Sequence, residues 1–177
     1  MQHLNYQKNK PKSLMIFSRL FVVSILFACM LVVSNATARG VTGKQGILEI
    51  STIAGKRIDL KQYRGKVVLV AFWATWCNTC VVEMPALQKY YAKHKSTFEL
   101  LAISVDRTDE ELKGFVKQHK LTYPVAWREA KNTKSNFDNI QTTPTMFVVD
   151  PKGKVVKKLY GRLSEKKLQQ LIKQYSS

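Results

Sequence analysis

The sequence predicts an α/β domain, a central mixed β-sheet flanked by helices and preceded by an N-terminal β-hairpin. Three observations lead there. The runs Val67–Trp73 and Phe98–Val105 are almost continuously apolar, the pattern of parallel strands covered on both faces. Between them, Cys80 to Lys93 carries Met84, Leu87, Tyr90 and Tyr91 at helical spacing, so strand, helix and strand follow one another. Farther on, Thr145–Val149 and Lys154–Leu159 flank the turn residues Asp150-Pro151-Lys152-Gly153 and read as an antiparallel hairpin.

In chain order, the first element is an export signal. Lys8, Lys10, Lys12 and Arg19 precede the uncharged stretch Leu20–Val33, and Ser34-Asn35-Ala36-Thr37-Ala38 follows with an A-x-A cleavage pattern, so cleavage is expected after Ala38. The alternative is an uncleaved membrane tether, because residues 14–33 make a twenty-residue span if Arg19 reaches the interface. Leu26-Phe27-Ala28-Cys29 makes a poor lipidation site, with bulky Phe27 beside the cleavage point. The expected organisation is therefore a signal peptide at 1–38 and one domain at 39–177, periplasmic or otherwise extracytoplasmic.

Within that domain, Gly46–Ile50 and Arg57–Leu60 flank Ala54-Gly55-Lys56 as the hairpin. After the central strands, Asp109–His119 reads as a helix with Leu112, Phe115 and Val116 inward, and Glu165–Gln174 as a last helix capped by Ser164. Helices are expected on both faces of the sheet.

The net charge is +17, and losing residues 1–38 lowers 29 basic residues to 25 against 12 acidic ones. Nucleic acid is the first partner such a balance suggests. The lysines, however, are scattered over predicted helices and loops with no aromatic-interleaved stripe, so the expectation is no nucleic acid but a solvated basic surface, attractive to anionic headgroups or acidic partners.

The chemistry lies in Trp76-Cys77-Asn78-Thr79-Cys80, directly after the first buried strand. A thiol at a helix N-terminus meets unpaired N–H groups and the positive end of the helix dipole, which favour the attacking thiolate. A second thiol one turn later can resolve the mixed disulfide. The chain has three cysteines, and the third, Cys29, lies in the segment expected to be removed. A loop this short staples little. Zinc needs four ligands, and the chain left after the expected cleavage offers only His94 and His119 beside the two thiols, each among lysines. No metal and no cofactor are expected.

Phe72-Trp73-Ala74-Thr75-Trp76-Cys77 with Cys80, then Glu83-Met84-Pro85, then Thr143-Pro144-Thr145 before a strand, together resemble the TlpA/ResA-like branch of the thioredoxin superfamily across Gly46–Tyr175. The resemblance implies a thioredoxin fold and thiol–disulfide exchange, in a branch whose members include oxidoreductases of cytochrome c maturation. It further implies a cis Thr143–Pro144 bond packed against the dithiol, leaving the Thr143 backbone to pair with an extended substrate. Thioredoxin carries a buried aspartate at the position of Ala71, absent here, whereas TlpA/ResA-like proteins place an active-site glutamate at Glu83. By spacing alone, Glu83 shares a helix face with Cys80, or is a solvated surface carboxylate. Trp73 and Trp76 are expected to supply packing and an apolar rim around the thiols, with Trp76 placed in the substrate-binding set. Pro85 should kink the helix without ending it.

The expected partners are a disulfide-containing protein and an upstream dithiol electron donor, membrane-bound or soluble, acting on a monomer. Asn78-Thr79 has neither the Gly-Pro of thioredoxin nor the Pro-His of the oxidant DsbA, so a disulfide donor or isomerase stays open beside the favoured reductase. A thiol peroxidase would place a Pro and a Thr ahead of its cysteine, which this chain does not. A redox-independent binding module is the remaining alternative.

Overall fold

Seven consecutive buried residues, Val67–Trp73, form the strand on which the domain is built. The computed structural model describes residues 42–176, so the expected signal or tether and Cys29 lie outside the described residues. In chain order the strands are β1 (Leu48–Ser51), β2 (Arg57–Asp59), β3 (Val67–Trp73), β4 (Phe98–Ser104), β5 (Val125–Trp127), β6 (Lys134–Ser135), β7 (Thr145–Val149) and β8 (Val155–Tyr160). The helices are α1 (Asn78–His94), α2 (Asp109–Gln118) and α3 (Glu165–Tyr175).

The main sheet has the order β5-β4-β3-β7-β8, with β3, β4 and β5 parallel, β7 antiparallel to β3, and β8 antiparallel to β7. The mixed sheet, the N-terminal hairpin and the three long helices are as the sequence predicts. Strand alternation divides the core cleanly. Val67, Leu69, Ala71 and Trp73 face one way, with Leu100, Ala102, Met146 and Val148. Val68, Val70 and Phe72 face the other, with Leu101, Ile103, Phe147 and Val149.

The helices depart from expectation. Buried residues of α1 (Met84, Leu87), α2 (Leu112) and α3 (Leu168, Leu171) all join the first cluster, so all three helices cover one face. The cause is topological. The steps from β3 to β4 and from β4 to β5 run in the same direction across the sheet, and right-handed crossovers in one direction put their helices on one side.

The second face is instead covered by a small antiparallel sheet, β2-β1-β6, through Leu48, Ile50 and Ile58. This is the hairpin read from the sequence, with Ile50 opposite Ile58. Two short strands, β5 and β6, were not legible, being three and two residues long. The segment after β6 adds Phe137, buried between Phe72 and Phe147 at ring-centroid distances of 6.2 and 5.1 Å.

At the β7–β8 turn, Gly153 adopts φ +79°, and a side chain there would run into Arg64. The start of the outer edge of β8 is covered by residues 43–46, with Gly43 N–H donating to Val155 O and Val155 N–H to Lys44 O. Beyond it, Lys158 lies over the rings of Phe147 and Tyr160, 5.3 Å from each, and donates to Asn139 O.

Because Phe137 fills the centre of an aromatic cluster, Phe137→Ala should lower stability by about 3–5 kcal/mol. Denaturant unfolding of wild type and variant measures it, with Ile47→Ala, an exposed position, near zero.

Candidate active site

Strand β3 ends at Trp73, and residues 74–77 turn the chain into α1. Cys77 is the N-cap, with extended backbone (φ −87°, ψ 106°), and its Sγ accepts from Cys80 N–H at 3.2 Å. The sulfur thus takes the place of a capping oxygen, and it is held among helix N-terminal donors that stabilise negative charge. Cys77 and Cys80 form a disulfide, with Cα atoms 5.1 Å apart. Cys77 retains 8% exposure and Cys80 none, so Cys77 is the reachable sulfur. It is more covered than a helix-end residue is expected to be.

Part of that cover comes from the turn before β7. The Thr143–Pro144 bond is cis, and Cys77 Sγ lies 3.4 Å from Thr143 O. Pro144 is buried and its carbonyl accepts from Gly161 N–H at 2.9 Å, while Thr145 Oγ1 donates to Thr142 O at 2.6 Å. The Thr143 N–H and carbonyl have no backbone partner among the described residues.

Trp76 is 63% exposed and lines a surface groove with Val105, Arg107 and Glu111. Val82, on the first turns of α1, and Tyr160, opposite Thr145 in the sheet, are also exposed. Trp73 is fully buried and packs on Phe115 at 5.0 Å. The two tryptophans thus occupy different places, Trp76 at the surface and Trp73 in the core.

Glu83 is not a surface carboxylate. It is 2% exposed, accepts from Leu163 N–H at 2.8 Å, and meets the Arg162 guanidinium at 3.5 Å. The carboxylate one turn beyond Cys80 is thereby tied to the loop between β8 and α3. Pro85 lies within α1, which continues to His94. The Tyr123 hydroxyl donates to Met84 O at 3.1 Å, and burial, then the negative charge of Glu83, push that phenol well above its usual range.

Three site residues escaped the sequence reading. Arg162 and Leu163 lie far along the chain from Glu83 and carry no local signal. Asp106 had one, an acidic residue just past a largely apolar strand. It is buried, and its carboxylate accepts from Thr75 N–H at 2.9 Å, Thr75 Oγ1 at 2.8 Å and Ser104 Oγ at 2.6 Å.

A CxxC disulfide capping the helix that follows a central parallel strand, beside a cis-proline turn, is the arrangement in which known proteins can be compared. A family model described as the AhpC/TSA family matches residues 43–158. The chain belongs to the AhpC/TSA family. Among its relatives, the thiol-disulfide oxidoreductase ResA of Bacillus thuringiensis subsp. konkukian (strain 97-27) is 36% identical over 125 residues, 70% of this chain and 72% of that protein. ResA of Bacillus subtilis (strain 168) is 34% identical over 63% of this chain and 62% of its own. A solved thiol:disulfide interchange protein of the thioredoxin family, from Chlorobium tepidum TLS, is 27% identical with TM-score 0.65, covering 80% of this chain and all of that one, 100%. This member of the AhpC/TSA family is thus a thioredoxin-like protein-disulfide oxidoreductase, in agreement with the resemblance to the TlpA/ResA-like branch.

The buried Leu163 N–H makes the Glu83 contact testable. Glu83→Ala leaves that donor unpaired and should cost about 1–3 kcal/mol, whereas Glu83→Gln keeps an acceptor oxygen and should cost markedly less. Denaturant titration of the two variants compares them.

Proposed function

We propose that this oxidoreductase is exported and reduces disulfides in extracytoplasmic proteins, apocytochromes c among them. The observation that carries the chemistry is the asymmetry of the two sulfurs at the α1 N-terminus, Cys77 accessible and Cys80 enclosed. The Cys77 thiolate attacks a substrate sulfur, forming a mixed disulfide and expelling the other substrate sulfur as thiolate. Cys80 gives its proton to Glu83 and attacks Cys77 Sγ, which releases reduced substrate and closes the Cys77–Cys80 disulfide. An upstream dithiol, in the membrane or soluble, returns the two electrons.

The unpaired backbone of Thr143 supports a binding mode in which an extended substrate segment adds as a short strand across the cis-proline turn, with Trp76 as its apolar rim. Residues 1–38 supply export, with cleavage after Ala38. Retention of residues 14–33 as an inner-membrane tether is the alternative. The absence of a histidine at Thr79 supports a reductant, since no imidazolium stabilises the Cys77 thiolate in the reduced state.

Two measurements test this. Cys80→Ser should accumulate mixed disulfides with substrate and Cys77→Ser none, read by non-reducing electrophoresis; equal trapping by both would reverse or abolish the roles. Equilibration with glutathione should give a potential well below the roughly −120 mV of DsbA, with mostly free thiols trapped in cells. A predominantly disulfide form in cells that also oxidises a reduced unfolded protein would make it a disulfide donor.

A further inference from the structure

Asp106 is the buried charge that dithiol exchange leaves unexplained. It stands just past the C-terminal end of β4, level with the end of β3, and is only 2% exposed. Every side-chain contact it makes is one in which it accepts. Oδ1 takes the Thr75 N–H and the Thr75 hydroxyl, and Oδ2 takes the Ser104 hydroxyl and a longer bond, 3.2 Å, from Thr75 N–H. The lone pairs of this buried carboxylate are met by one backbone N–H and by two hydroxyls able to donate to it. The residue is itself fixed, since Ser104 Oγ accepts from Asp106 N–H at 3.0 Å and Trp127 Nε1 donates to Asp106 O at 2.8 Å.

Thr75 lies in the turn that delivers Cys77, two residues on, as the cap of α1. We propose that Asp106 is a positioning residue for the dithiol: it clamps the Thr75–Cys77 turn, and its buried negative charge disfavours a second negative charge on the Cys77 sulfur. The helix N-terminus favours the thiolate and Asp106 opposes it. Less stabilisation of the reduced, thiolate-bearing form leaves the pair more reducing. The other charged or titratable groups at this end of the sheet include Cys80 and Glu83 on α1, Arg107 and Glu111 in the groove beside Trp76, Tyr123 before β5, Arg128 after β5, Tyr160 at the end of β8 and Arg162 after it.

The inference rests on dithiol exchange at Cys77, and the test separates the two. In the reduced full-length protein, Asp106→Asn should shift the pH midpoint of Cys77 alkylation downward by about one unit and make the glutathione-equilibrated potential less negative. Thr75→Val, which loses the hydroxyl donor but keeps the Asp106 charge, should slow attack of Cys77 on a model disulfide several-fold. Thr75→Ser, which keeps the donor, should match wild type. If Asp106→Asn does not fold, the Val and Ser pair decides. An Asp106→Asn protein with wild-type midpoint and potential, or Val and Ser variants with equal rates, would overturn the assignment even if both variants melt earlier. A wild-type protein without exchange activity would instead overturn the dithiol reading itself.

Discussion

Right-handed crossover in a single direction is the constraint from which the rest of this domain follows. It sends α1 and α2 to the same face, and α3 returns over that face from the opposite edge. The other face would lie bare, and burying Val70, Phe72, Ile103 and Phe147 requires a second layer that no crossover helix supplies. The N-terminal hairpin, β6 and Phe137 form that layer. The apparent appendage at the start of the domain is thus half of the core.

The same arrangement defines the site. Parallel β3 and β4 bring their C-terminal ends to one edge, where β3 hands over to the helix dipole and β4 ends beside Asp106. Antiparallel β7 then brings its first residues to the same edge, placing the Thr143 carbonyl against Cys77. The dithiol is held from three sides by elements that are distant in sequence. Two buried carboxylates lie beside it, Glu83 on α1 tied to the β8–α3 loop and Asp106 just past β4 tied to the Thr75 turn.

Chemistry carried by adjacent residues was legible in the sequence. The CxxC after an apolar run, Pro144 before a strand, the hairpins and the amphipathic helices are all local patterns of period, turn chemistry and capping. What could not be read is what depends on partners across the chain. Glu83 has the same spacing from Cys80 whether it is solvated or buried, and only Leu163 and Arg162 decide between them. The placement of α2 depends on strand order, which hydrophobic periodicity does not encode. Strands β5 and β6 are too short to show alternation and exist because β4 and β1 offer them an edge.

One edge of the main sheet remains, along β8. Its first residues are occupied by the 43–46 segment, and its middle carries Lys157 and Lys158, the latter spread over the Phe147 and Tyr160 rings. Charged side chains on an outer strand discourage pairing with another chain. An open sheet edge is a template on which loose strands of other chains can pair. The lysine-guarded border makes this sheet a poor nucleus for aggregation.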